Sequence, residues 1–360
     1  MSDSRQEDVI SIVNSMFDVT DFNKSLYSLE FKIEDYEFKS KFEELARRLE
    51  DMNYVCKLEK MNDGKYIIVQ KFPQKKRRKW LNASWIPRIL FVVVVSFVMI
   101  DGYFRTDFAN SVIEIGDPLE MAGIYTLSLL GILGIHESGH LIAARLHRLK
   151  TTWPFFIPGI PVFGIPTFGA FIQSRGLTIN REILFDVAIA GPIAGLIVAI
   201  IVALLAAYTA PILEVGIDED SRLREWEYGQ PLFLTFSLEL FGKGGETQIL
   251  QTPLLFAAWF GFMVTFLNLL PAWQLDGGHL ARTLLGSKLH RYATYGSMGI
   301  LVLLNFWVMA IFILLLSSRS PSANPLDDIS PLSRNRKLAY AGVVVLGILC
   351  APLPSGLLPW

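Results

Sequence analysis

The chain has 360 residues, is 52% hydrophobic and only 19% charged, and its 33 Lys and Arg nearly balance 34 Asp and Glu. That balance supplies no basic field, so no nucleic-acid partner is expected. Two distant cysteines, Cys56 and Cys350, exclude a disulfide framework, and neither neighbours a histidine cluster that would suggest a metal role for it.

Charge is unevenly spread along the chain. Residues 1–80 hold 16 of the 33 basic and 15 of the 34 acidic residues. The composition predicts a soluble domain over 1–80 and a membrane domain over 81–360. Residues 1–30 are polar and mixed in charge, so no cleavable signal peptide is expected there. Residues 1–28 have weak periodicity. Residues 28–34 alternate as a strand does, and Phe38, Phe42, Leu45, Leu49 and Met52 recur at helical spacing. Two further strands, 54–60 and 65–72, flank the turn signal Asn62-Asp63-Gly64. The reading is a small α+β unit of order β-α-β-β. It carries no motif, so its role stays open, with a scaffold or regulatory part as the plainest reading.

The basic run 75–79 precedes an apolar stretch over 86–104. It reads as a positive-inside anchor, which predicts a cytoplasmic N-terminus. A second span, 120–144, returns and closes on Arg145, Arg148 and Lys150. Residues 153–173 are apolar but broken by Pro154, Pro158, Pro161 and Pro166 and by Gly159, Gly164 and Gly169. Such a segment makes a poor spanning helix and a better re-entrant hairpin. Its later part, 169–173, is β-prone and suited to hold an extended substrate. The third span is 183–209, with Gly191, Pro192 and Gly195 inside it to allow close helix approach. Loop 211–252 has eight acids and three basic residues, which suits the outside, and its apolar part 231–240 suits the membrane surface. A fourth span starts near Pro253, a fifth covers 292–316 and a short last one 338–352. The expected fold is therefore a polytopic α-helical membrane protein of about six spans with a re-entrant β-hairpin-like segment and both termini cytoplasmic. Loop 317–337 disagrees: it should lie outside, yet it has four basic residues and two acids.

Within the second span stands His136-Glu137-Ser138-Gly139-His140. Two imidazoles four apart share one helix face and can grip one zinc, with Glu137 placed as general base. Ionisable groups at membrane depth are costly, which makes them functional candidates. A catalytic zinc wants a third protein ligand and an open position. Asp186 is near the start of the third span and suits the interface. Asp276 is the better candidate, because it follows Asn268 and Pro271, which bend the backbone, and precedes Gly277-Gly278, which allow close approach. His279 lies close to Asp276, while His147 and His290 sit among basic residues and are expected at the membrane surface. Trp80, Trp85 and Trp153 are interfacial candidates.

The pairing of His136-Glu137-x-x-His140 with Asn268-x-x-Pro271-x-x-x-Leu275-Asp276-Gly277-Gly278 resembles the site-2 protease family of intramembrane zinc metalloproteases, of the prokaryotic type without a PDZ or CBS module. The resemblance covers about 85–352. It implies one zinc per chain held by His136, His140 and Asp276, Glu137 as base, and Asn268 positioning substrate or water. It also implies a membrane-anchored protein substrate cut within the lipid bilayer, and it leaves oligomeric state open. Two other readings stand beside it. A non-hydrolytic metal-binding scaffold or transporter would have no need of Glu137. A membrane protease of the prenyl-protein-processing kind would use a Glu ligand on a later helix.

Overall fold

The computed structural model describes residues 3–72, 85–149, 151–152, 154–160, 165–171, 178–213, 229–245, 248–319 and 324–354. The basic run 75–79, Trp80, Trp153 and residues 172–173 lie outside these. The N-terminal unit runs α1 (Asp3–Met16), β1 (Val19–Lys24), β2 (Ser28–Ile33), α2 (Lys39–Asp51), β3 (Tyr54–Met61) and β4 (Gly64–Lys71). Its sheet is antiparallel in the order β1-β2-β4-β3. Leu29, Phe31 and Ile33 alternate inward from β2 and meet Phe42, Leu45 and Leu49 of the amphipathic α2. The expected β-α-β-β unit is present, with α1 and β1 added before it. β1 is an edge strand with five of six residues exposed, so it has no apolar alternation to betray it. Cys56 is buried in this core, and burial pushes its thiol up to about 12, which makes it inert as a ligand.

The rest is helical: α3 (Trp85–Asn110), α4 (Pro118–Leu146), α5 (Arg181–Thr209), α6 (Leu232–Leu240), α7 (Pro253–Leu269), α8 (Asp276–Leu303), α9 (Trp307–Arg319) and α10 (Arg334–Cys350). Between α4 and α5 lie β5 (Phe155–Ile160) and β6 (Ile165–Phe171); β7 (Gln230–Pro231) and β8 (Pro352–Leu353) form a second pair. Three helices, α3, α4 and α5, are long and apolar enough to cross a membrane, and α7 and α9 are shorter apolar helices. The chain is a multi-pass helical membrane protein. Three helices begin at capping side chains. Asp117 accepts from the amides of Leu119 and Glu120, Asn180 from Ile183, and Thr252 from Leu255, each such cap stabilising its helix by about 1 kcal/mol. Proline at 118 and 253 adds preorganised first turns. β5 and β6 pair antiparallel and pack on α3, with the Phe91 and Phe156 rings 5.0 Å apart. Residues 153–173 thus supply a hairpin and no helix among their described positions.

Two topological expectations fail. The stretch 292–316 is not one span. Asn305 takes a left-handed φ of 66° and reverses the chain, so α8 and α9 pack on each other as a hairpin. Residues after α9 therefore return to the end of the bundle that carries the N-terminal sheet. There the Leu58 amide donates to the Leu326 carbonyl at 2.8 Å, and the Asp327 amide to that of Ile179 at 2.7 Å. Segment 324–330 is a strap laid along β3 and the start of α5. Residues 324–337 thus lie at the N-terminal end instead of the far one. α10 then runs to the opposite end, where β8 pairs with β7 of the acidic loop. Among the described residues, the N-terminal sheet and β8 sit at opposite ends, which departs from the expectation of both chain ends on one side.

Side-chain contacts dock the N-terminal unit on the same helices. Lys39 pairs with Glu182 at 2.8 Å, Asn180 donates to Glu43 at 3.3 Å, and Arg47 donates to the His147 carbonyl at 3.2 Å. At the far end the Tyr125 hydroxyl and Arg105 Nε both donate to the buried Asp101 at 2.7 Å, and the Arg105 guanidinium lies 3.5 Å from the centre of the Phe256 ring.

Candidate metal centre

His136 and His140 project from one face of α4, as their four-residue spacing dictates. Asp276 is the first residue of α8. It does not cap that helix; Leu275 holds the cap position, with no side-chain cap bond. The Asp276 carboxylate turns instead to the imidazoles, its Oδ2 3.3 Å from Nε2 of each. The two Nε2 atoms are 3.2 Å apart. Asn268 Nδ2 is 3.5 Å from His136 Nε2, and His279 stands one turn beyond Asp276. Four residues singled out from sequence thus converge from α4, α7 and α8. Glu137 is half-buried beside His136 on α4.

The donor set fits a metal ion. The Val187 carbonyl accepts from His140 Nδ1 at 2.8 Å, which in the neutral ring puts the lone pair on Nε2, facing Asp276. Lone pairs and a carboxylate so close call for a positive charge among them, which a metal ion supplies. A tetrahedral zinc with bonds of about 2.0–2.1 Å holds its ligand atoms about 3.3 Å apart, the spacing seen here. Among the described residues, His136, His140 and Asp276 are the group of metal-type ligands that lie this close.

α5 forms the wall behind the imidazoles. A methyl group at Gly191 would collide with the His140 ring, and one at Gly195 would come within 2.9 Å of His136 Cβ. In return, Gly139 on α4 leaves room for the Ala190 carbonyl, 2.5 Å from where a Cβ would stand. The small residues of α5 serve the closeness expected of them. Gly277 and Gly278 have a narrower part than expected. They let the carbonyls of Leu269 and Ala272 fold against the start of α8, closing the turn that follows Asn268. Gly191→Ala is accordingly expected to weaken metal binding about tenfold or more, as loss of a ligand-orienting contact does. Gly342→Ala, with open space around it, should not. Metal titration of the two proteins checks this.

Three supporting residues were not read from sequence. Val187 orients His140 through its backbone, which leaves no side-chain signal. Arg282 counted only as an inside marker, yet it is buried and ion-paired. His290 was expected at the surface but is buried in α8. Asp186 bridges His147 at 3.0 Å and Arg336 at 2.7 Å, away from the ligand cluster.

Comparison with known proteins bears on the same residues. Residues 124–312, just over half of the chain, match the model described as Peptidase family M50. The chain is 30% identical over 249 residues to "Probable zinc metalloprotease EGY2, chloroplastic" of Oryza sativa subsp. japonica, covering 66% of this chain and 44% of that protein. It is 30% identical over 233 residues to the protein of that name from Arabidopsis thaliana, covering 62% and 40%. It is 27% identical to "Probable zinc metalloprotease EGY1, chloroplastic" of Arabidopsis thaliana, covering 63% and 42%. The chain spans less than half the length of these curated relatives. No solved structure matches it.

Proposed function

Because this chain belongs to peptidase family M50, we propose that it is a zinc endopeptidase that hydrolyses membrane-anchored proteins within the bilayer. The observation that carries this reading is three ligand atoms at tetrahedral spacing, set among apolar helices with a half-buried carboxylate one residue from the first histidine. His136, His140 and Asp276 hold one zinc per chain. A zinc ion held there would supply water activation and polarisation of a carbonyl. Glu137 accepts the attacking water's proton and returns it to the leaving amine. Asn268, beside His136, is placed to hold the water or the substrate carbonyl by its amide. The Val187 carbonyl, accepting from Nδ1, orients the His140 ring.

A helical substrate hides its carbonyls in hydrogen bonds, so the scissile segment is extended when cut. The β5–β6 hairpin supports that requirement. Each of its strands pairs only with the other among the described residues, leaving edges on which an extended chain adds as a further strand. The sheet-bearing end of the bundle is cytoplasmic in this reading. Arg145, Arg148, Arg282, Arg334, Arg336 and Lys337 gather there, and the described residues 211–213, 229–245 and 248–252 of the acidic loop lie opposite. α3, α4, α5, α7 and α10 cross the bilayer, and the α8–α9 hairpin enters and returns from the cytoplasmic end.

The test is direct. Purified protein in detergent, incubated with a panel of single-span substrates, should cut within their hydrophobic segments. Chelator should stop the cleavage and added zinc restore it. Chelator-resistant cleavage, or cuts confined to water-exposed loops, would contradict the proposal.

A further inference from the structure

α8 is two helices joined at Gly286, whose φ of 75° is not helical, and the second folds back along the first, its Thr294 hydroxyl accepting from the Trp273 amide at 3.0 Å. Upstream, Trp273 also has a left-handed φ of 44°. Residues 276–285 are therefore a short lever with a non-helical residue beyond each end, and Asp276 is its first residue. The near end is held by backbone packing on Gly277 and Gly278. The middle packs through Leu280 and Leu284 on Phe185, Leu332 and Val343, and the far half carries one buried charged side chain. Arg282 is 2% exposed and donates from Nη1 and Nη2 to the two carboxylate oxygens of Asp328, at 3.1 and 2.6 Å. Its Nη2 also donates to Asn324 Oδ1 at 2.9 Å.

The same Asp328 holds α5. Arg181, the first residue of that helix, donates to Asp328 Oδ1 at 2.9 Å and to its carbonyl at 2.6 Å. α5 carries Val187, which orients His140, and Gly191 and Gly195, against which both imidazoles lie. One carboxylate thus joins the helix that orients the histidines to the lever that carries Asp276. Its neighbours Leu326 and Asp327 are bonded through their backbones to β3 and to residues 178–179, which fixes Asp328 in the strap. A buried ion pair is weak ground for stability, since apolar packing does as well, and its better-attested use is to specify one geometry.

We propose that Asp328 is a positioning residue: through Arg282 it sets the Asp276 carboxylate against His136 and His140, and the strap makes that setting depend on the docked N-terminal unit. This rests on the reading of Asp276 as a metal ligand. The test uses the full chain in detergent, stripped of metal and titrated with Co(II), for wild type, Asp328→Asn, Asp328→Glu, Asn324→Ala and Asp276→Ala. Affinity and the intensity of the visible ligand-field bands are read, with a thermal melt alongside. Asp328→Asn should bind Co(II) about 10–100-fold more weakly, as loss of an outer-shell partner does, with weaker tetrahedral bands at saturation. Asp328→Glu, which keeps the charge, should recover most of the affinity. A merely structural pair would lower the melting temperature and leave the bands unchanged, and that result in folded Asp328→Asn would overturn the proposal. Should Asp328→Asn fail to fold, Asn324→Ala removes a single hydrogen bond from Arg282 and is expected to weaken Co(II) binding about twofold or more. Unchanged affinity there would overturn the proposal as well. Wild-type affinity in Asp276→Ala would overturn instead the ligand reading beneath it.

Discussion

Glu137→Gln is expected to keep the fold and the metal and to lose peptide cleavage by about 10²–10⁴-fold, the usual worth of a positioned general base. The substitution is nearly isosteric, so α4 and the two histidines beside it should not move. What it removes is proton acceptance. The amide cannot take a proton from water, and it has no carboxylic proton to hand to the leaving amine. Metal content therefore separates this variant from any ligand variant. Elemental analysis and a substrate-cleavage time course on the same preparation supply both readings. Cleavage near the wild-type rate would remove Glu137 from the chemistry. Full metal retention with no activity in the wild type as well would favour a metal-binding scaffold.

Asp276→Ala is expected to do the reverse. It leaves Glu137 intact but deletes the one anionic member of the ligand group and its only contribution from α8. The remaining two imidazoles, 3.2 Å apart at Nε2, can still share an ion, but with neither a third ligand nor charge compensation. The loss of affinity should exceed the roughly 10–100-fold cost of losing an outer-shell partner, and cleavage should fall with it. Restoring activity with excess zinc would show that the defect lies in binding. A stoichiometric zinc content after dialysis against buffer would place the third ligand elsewhere.

The candidate ligands were legible in the sequence because their chemistry is local. Two histidines four apart on a helix must share a face, and a carboxylate between a chain bend and two glycines has few other uses in an apolar segment. The hairpin over 153–173 was legible for a related reason: its prolines exclude a helix whatever surrounds them. What the sequence hid was long-range. The strap at 324–330 has no alternation of its own, and its pairing with Leu58 and Ile179 depends on register set elsewhere. The reversal at Asn305 lies within 300–316, an apolar stretch without Gly or Pro, so hydropathy alone drew one span where the chain turns back. Arg282 shows the limit of counting charges. A basic residue near the end of a span marks the inside, but only the fold reveals that it is buried on Asp328.

Zinc-edge X-ray absorption on the purified protein tests the ligand group most directly. One zinc per chain should be present, with two imidazoles and at least one carboxylate oxygen at about 2.0–2.1 Å. In Asp276→Ala any residual spectrum should lose the carboxylate oxygen. A wild-type spectrum with a single imidazole, a sulfur ligand or no bound zinc would contradict the assignment of His136, His140 and Asp276.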